Sequence, residues 1–220
     1  VHLPDGFLNG PTLLTTGAAS LGCVAGGVAR ARRTLGEQQV PLLGVTAAFV
    51  FAAQMLNFPV AGGTSGHFVG ATMAAVLLGP LTAVLVLSVV LTIQALVFFD
   101  GGITALGANV FNMGVVGAFV GWGVFRLLGA VLPGSRGRLP AASGVGAWCA
   151  CVVSSAAVSV ELGISGTIPI RVALPAMVGV HVLIGIGEAI ITAAVVATVA
   201  AARPDLIRTP GRGAGEGAVA

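Results

Sequence analysis

The chain reads as an all-α integral membrane protein: a bundle of about seven transmembrane helices, one of them short, with the N-terminus outside. Three observations predict this. Of 220 residues, 56% are hydrophobic and only 8% charged, against about 25% charged in a soluble domain. Apolar runs long enough to span a bilayer recur along the chain. The arginines fall at alternate ends of those runs, as cytoplasmic loops demand.

In order, residues 1–11 form an extracytoplasmic leader, 12–202 a transmembrane helical bundle, and 203–220 a short cytoplasmic tail. The leader, VHLPDGFLNGP, has no basic region followed by an apolar core, which predicts no signal peptide ahead of the first span. Pro4, Asp5 and Gly6 make a turn-forming trio, and Phe7 and Leu8 can plug an apolar groove. Full-length spans are expected at 12–29, 41–58, 81–99, 106–128, 142–162 and 173–202. A seventh run, 67–78, is too short to cross as a simple helix and reads as a partial or re-entrant element that must be buried in protein.

With Arg30, Arg32 and Arg33 inside, alternation over seven crossings also puts Arg126, Arg136, Arg138, Arg203, Arg208 and Arg212 inside, leaving only Arg171 outside. Deleting the short crossing would send most of these arginines to the wrong side. The same alternation puts the C-terminus in the cytoplasm and the loop 59–66 on the outer face with the N-terminus.

All ten basic residues are arginine. The absence of lysine excludes a P-loop ATPase and Schiff-base chemistry, and arginines dispersed this way are topology signals rather than a nucleic-acid patch. The expected surroundings are membrane lipid. Cys23, Cys149 and Cys151 lie in apolar runs and read as small packing residues, since positions 149 and 151 point about 200° apart on a helix.

The second residue is the most informative. The Val1 α-amine, the His2 amide nitrogen and the His2 imidazole can close two fused chelate rings on one divalent metal, leaving one corner of a square open. His67 and His181 are the other histidines. Tetragonal nitrogen ligation suits Ni(II), Cu(II) or Co(II) rather than Mg or Ca. The arginine topology brings His2 and His67 to one membrane face without any assumption about function. Glycines in VAGGTSGHFVG let the chain bend back before His67, which is expected to begin the short helix.

Other polar residues sit inside the spans. His181 and Glu188, seven apart, share one face of the last helix, and an intramembrane carboxylate is a functional candidate or a hydrogen-bonded structural one. Asn109 and Asn112 share a face and are expected to bond between helices. Ala48 and Ala52 form a small-xxx-small pair that admits a partner helix, in this chain or in another subunit.

The segments HLPDGFL, FVFAAQMLNFPVAGGTSGHFVGA, GANVFNMGVVG and GVHVLIGIGEAIIT resemble the CbiM/NikM family, the cobalt or nickel substrate-binding components of energy-coupling factor transporters. The resemblance runs to about Ala202. It implies a planar four-nitrogen site made by the amine of residue 1, the backbone and side-chain nitrogens of residue 2 and a later histidine, which fall on Val1, His2 and His67. Family members begin with methionine; Val1 departs from this, as translation of a non-ATG start codon would give, and the amine is unaffected. The resemblance further implies a non-catalytic subunit without a catalytic cofactor, whose transported ligand is Co(II) or Ni(II). Its partners would be a transmembrane coupling protein docking near Ala48 and Ala52, two ATPase subunits and a small CbiN-type membrane protein. Cobalamin-synthesis genes nearby would indicate cobalt, and urease or hydrogenase genes nickel.

A competing class is a rhomboid-type intramembrane serine protease, since Gly63-Thr64-Ser65-Gly66 matches GxSG and His181 lies on a later helix. That reading leaves His2 and His67 unexplained. A passive metal channel would need rings of pore-lining polar residues, and the spans hold too few.

Overall fold

The computed structural model describes residues 1–34, 36, 39–60, 64–132 and 137–208. Gly63, Arg136, Arg212 and the tail beyond residue 208, all used in the sequence reading, lie outside the described residues, as does the Ser65 side chain. Among the described residues there are seven helices of eight residues or more: α1 (Gly10–Thr34), α2 (Val40–Gln54), α3 (Ala71–Leu78), α4 (Pro80–Val97), α5 (Leu106–Val131), α6 (Arg138–Ile164) and α7 (Ile170–Ala202). Five are long and apolar enough to cross a membrane; α2, with 15 residues, is shorter, and α3 has 8.

The helix starts follow local chemistry. The Asn9 side chain accepts the Thr12 N–H at 2.9 Å, capping α1 as Asn does well. Pro41 and Pro80 stand in the first turns of α2 and α4, where the missing N–H costs nothing. Within α5, Val110–Val116 widens into a π-helical stretch, and the Ser154 hydroxyl donates to the Asn112 carbonyl there at 2.8 Å.

Two short strands, β1 (Asn57–Val60) and β2 (Thr64–His67), pair antiparallel between α2 and α3, with Asn57 opposite His67. This corrects two expectations. The second helix stops at Gln54 rather than residue 58, and His67 ends a strand rather than starting a helix, which begins at Ala71. Away from water, main-chain groups must be satisfied within the protein, and the glycine-rich segment meets that need by pairing with itself. All eight residues of α3 are buried. At about 12 Å the helix is too short to cross a membrane alone.

Small residues let the inner helices close up. A Cβ on Gly146 would lie 2.7 Å from the Gly121 carbonyl oxygen, and one on Gly144 would lie 3.0 Å from that of Ala189. A Cβ on Gly121 would run into Thr72, so α3, α5 and α6 meet almost backbone to backbone. Large apolar side chains such as Leu14, Leu21, Leu127, Leu183 and Ile190 point outward.

The two ends of the bundle differ. At one, the leader meets the α4–α5 loop, where the Gly102 N–H donates to the Leu3 carbonyl at 2.8 Å. It also meets the α6–α7 loop, where Ser165 accepts the Asn9 N–H at 3.1 Å and the Thr167 hydroxyl donates to the Phe7 carbonyl. At the other end, the Arg208 N–H donates to the Val76 carbonyl at 3.0 Å, and Arg208 lies within electrostatic reach of Arg30.

Candidate functional site

The leader does not lie on the surface. Val1 and Leu3 are fully buried and His2 nearly so, because the leader threads into the bundle. Asn109 fastens it from α5: its side-chain oxygen accepts the Leu3 N–H at 2.8 Å and its amide donates to the Leu3 carbonyl at 3.1 Å. Outside, the Asp5 carboxylate accepts the N–H of Thr104 at 2.7 Å and its hydroxyl at 2.5 Å; these bonds hold its pKa below the usual carboxylate range. Asn109 thus serves the leader rather than a helix–helix contact. Asn112 does make the expected interhelical bond, donating to Glu161 at 2.7 Å.

The ring that meets His2 is His67, with centroids 4.6 Å apart and planes inclined by 35°. His67 is fully buried, and its Nδ1 lies 2.7 Å from the Phe68 carbonyl. A carbonyl only accepts, so Nδ1 carries the proton and Nε2 keeps its lone pair. That Nε2 has no hydrogen-bond partner among the described residues. On His2, Nε2 lies 3.7 Å from the Asp100 carboxylate and has no hydrogen-bond partner among the described residues. The close fit requires Gly101, because a Cβ there would sit 2.9 Å from His2 Nδ1.

Burial pushes the Val1 amine down to about 5, against smaller opposing effects of Cys151 and Asp100. Burial also pushes the His2 imidazole down to about 3, and the nearby amine adds to the shift. Both are neutral nitrogen donors at pH 7. The field of the amine also reaches His67, His181 and Cys151.

Among the described residues, no group of three or more His, Cys, Asp or Glu side chains could hold a metal. An ion bound between the two rings would have to take main-chain nitrogen as well, and an all-nitrogen set of this kind suits Co(II), Ni(II) or Cu(II). His181 is buried nearby with Nδ1 2.6 Å from the Met177 carbonyl. Glu188 faces elsewhere, its two oxygens accepting the N–H groups of Val69 at 3.1 Å and Gly70 at 2.9 Å. The shared face of His181 and Glu188 predicted from spacing therefore exists, but the two side chains bind different groups.

A bundle of apolar helices closed around a buried, non-helical polar centre is that of a multi-pass membrane protein. The chain belongs to the CbiM family, described as the cobalt uptake substrate-specific transmembrane region, whose model matches residues 2–206. It is 44% identical over 214 residues to a protein of Haloquadratum walsbyi named for metal transport, covering 95% of this chain and 94% of that protein. It is 39% identical over 223 residues to the fused nickel transport protein NikMN of Rhodobacter capsulatus, covering 94% of this chain and 64% of that protein. A crystal structure of a truncated transition metal transporter superposes with a TM-score of 0.84 at 35% identity, over 92% of this chain and 99% of that one. The chain is accordingly a transport component and not an enzyme. Neither fold nor kinship favours the protease alternative: the Ser65 main chain is paired with Pro59 in the hairpin.

Proposed function

We propose that the chain is the substrate-specific membrane component of an energy-coupling-factor transporter, binding Co(II) or Ni(II) from the outer face for uptake driven by ATPase partners. The ion is held in a plane by the Val1 amine, the deprotonated His2 amide, the His2 imidazole and His67 Nε2. The observation that carries this reading is the meeting of His2 and His67 at 4.6 Å, from segments 65 residues apart, with the Nε2 lone pair of His67 buried and uncommitted.

Membership of the CbiM family supports the substrate class. The arginine bias supports an outward-facing leader and a cytoplasmic C-terminus. A lysine-free chain has no P-loop, which fits a subunit energised by a transmembrane coupling protein and two ATPases. This chain matches 64% of the fused nickel transport protein NikMN, whose fused name supports a CbiN-type component in the assembly. Ala48 and Ala52 are exposed on α2 and form the docking face for the coupling protein.

Metal content of the purified full chain tests the site. His2→Ala and His67→Ala should each abolish high-affinity Ni(II) and Co(II) binding with normal membrane insertion, while His181→Ala weakens it far less. Loss of binding in His181→Ala with retention in His67→Ala would reassign the fourth ligand.

A further inference from the structure

Between β2 and α3 the chain runs through Phe68, Val69 and Gly70 without regular structure, and these residues fix where the His67 ring points. The His67 Nδ1–H bond ends on the Phe68 carbonyl, so any rotation of that peptide turns the ring. The next two N–H groups converge on one side chain: Val69 donates to Glu188 Oε2 at 3.1 Å and Gly70 to Glu188 Oε1 at 2.9 Å, across 119 and 118 residues of sequence. Gly70 has a φ of 74°. Successive N–H groups around a left-handed residue form a concave nest for an anion, and here Glu188, itself only 2% exposed, fills it. On the opposite side of the same peptide, the Gln54 amide donates to the Val69 carbonyl at 2.7 Å.

Satisfying two orphan N–H groups does not by itself call for a carboxyl group, which is among the costlier side chains to keep in a membrane. What a carboxyl adds is two acceptors on one rigid plane, engaging neighbouring N–H groups together and removing the freedom of the peptide between them. Its position near the middle of α7 also ties the hairpin to that helix.

We infer that Glu188 is the positioning residue for His67, locking the 68–70 segment so that His67 Nε2 faces His2. The inference rests on the metal-binding reading proposed above. Glu188 does not touch the ion. It acts through the Val69 and Gly70 N–H groups, the Phe68 carbonyl and the His67 tautomer, as partners one bond removed from a metal commonly do.

The test compares Ni(II) binding by the full chain in detergent, by titration and by the visible ligand-field spectrum of the bound ion. Glu188→Gln keeps the shape but replaces one acceptor with a donor. It should weaken Ni(II) binding about 10- to 100-fold and shift or broaden the ligand-field bands, with the thermal unfolding profile retained. Glu161→Gln is the control, a second buried carboxyl, on α6, that accepts from Asn112; its affinity and bands should match the unaltered chain. Gln54→Met loosens the same peptide from the other side and should lower affinity less, in the same direction, which preserves the test if Glu188→Gln does not fold. Unaltered affinity and spectrum in Glu188→Gln, or an equal loss in Glu161→Gln, would overturn the inference. Normal binding by His67→Ala would instead remove the metal-binding reading itself, so the two failures are separable.

Discussion

Two non-helical segments enter the bundle, each bringing one histidine to the same point, and they are secured in different ways. The leader is tied at many places: Asn109 grips Leu3 inside, while Asp5, Phe7 and Asn9 bond to the loops at the rim. The hairpin pairs with itself and is anchored in the interior by Glu188 and Gln54. Redundancy at the rim makes any single rim bond dispensable, whereas a buried donor or acceptor that loses its partner bears its full desolvation cost.

The largest expected effect comes from lengthening the leader. Val1 has no exposed surface, and any residue ahead of it moves the amine out of the chelate ring. An uncleaved N-terminal tag should abolish metal binding with every side chain intact, while a C-terminal tag leaves it unchanged. Full metal occupancy with the N-terminal tag would remove the amine from the ligand set.

Asn109→Ala should come next. It strips both buried bonds from Leu3, at about 1–3 kcal/mol for the groups left unpaired, and should weaken Ni(II) binding on the order of tenfold or more in titration. An effect no larger than that of a rim substitution would mean that the interior grip on the leader is not what orders His2.

Acidity probes the leader as a whole. Burial lowers the amine to about 5 from 8.0, so between those values the undocked leader binds more protons than the docked one. Docking therefore strengthens as pH rises through that window and loses this contribution as pH falls toward 5. With the amine and His2 already neutral in the docked state, only the His2 amide proton leaves when metal binds. Affinity should rise about tenfold per pH unit between pH 7 and 8, with about one proton released per ion. Calorimetry in buffers of different ionisation enthalpy would count the protons; a count of two or more would mean that the amine is protonated, as the usual value near 8 implies.

Asp5→Ala should be the mildest change. Its bonds to Thr104 are exposed, other rim bonds remain, and binding should stay within about threefold, an allowance for the ~1 kcal/mol of a typical hydrogen bond shared among several.

Much of this architecture is legible in the sequence, because lipid imposes so few solutions. Apolar length and arginine placement suffice for seven helices and for bringing His2 and His67 together. The hairpin is not legible. A hydropathy window cannot distinguish the end of α2 from Asn57–Val60, and it runs His67 into the apolar stretch of α3 although Gly70, at a left-handed φ, separates them. Nor does spacing disclose what a polar side chain binds. Asn109 and Asn112 share a helix face, yet one reaches the leader and the other α6. The signal that could have marked Asn109 is the leader itself: a non-helical segment that starts inside a bundle needs donors and acceptors from neighbouring helices.

The brevity of α3 has a consequence for the energetics of transport. Because β2 and the non-helical residues 68–70 precede α3, Val69 and Gly70 lie level with Glu188, near the midpoint of α7. On the metal-binding reading proposed above, a doubly charged ion seated between His2 and His67 would already have left water, its charge partly offset by the deprotonated His2 amide. From that level α3 runs eight residues, about 12 Å, toward the end of the bundle that holds Arg208. On the same reading, binding would accomplish part of the passage, and the stretch beside α3 would be what is left to open.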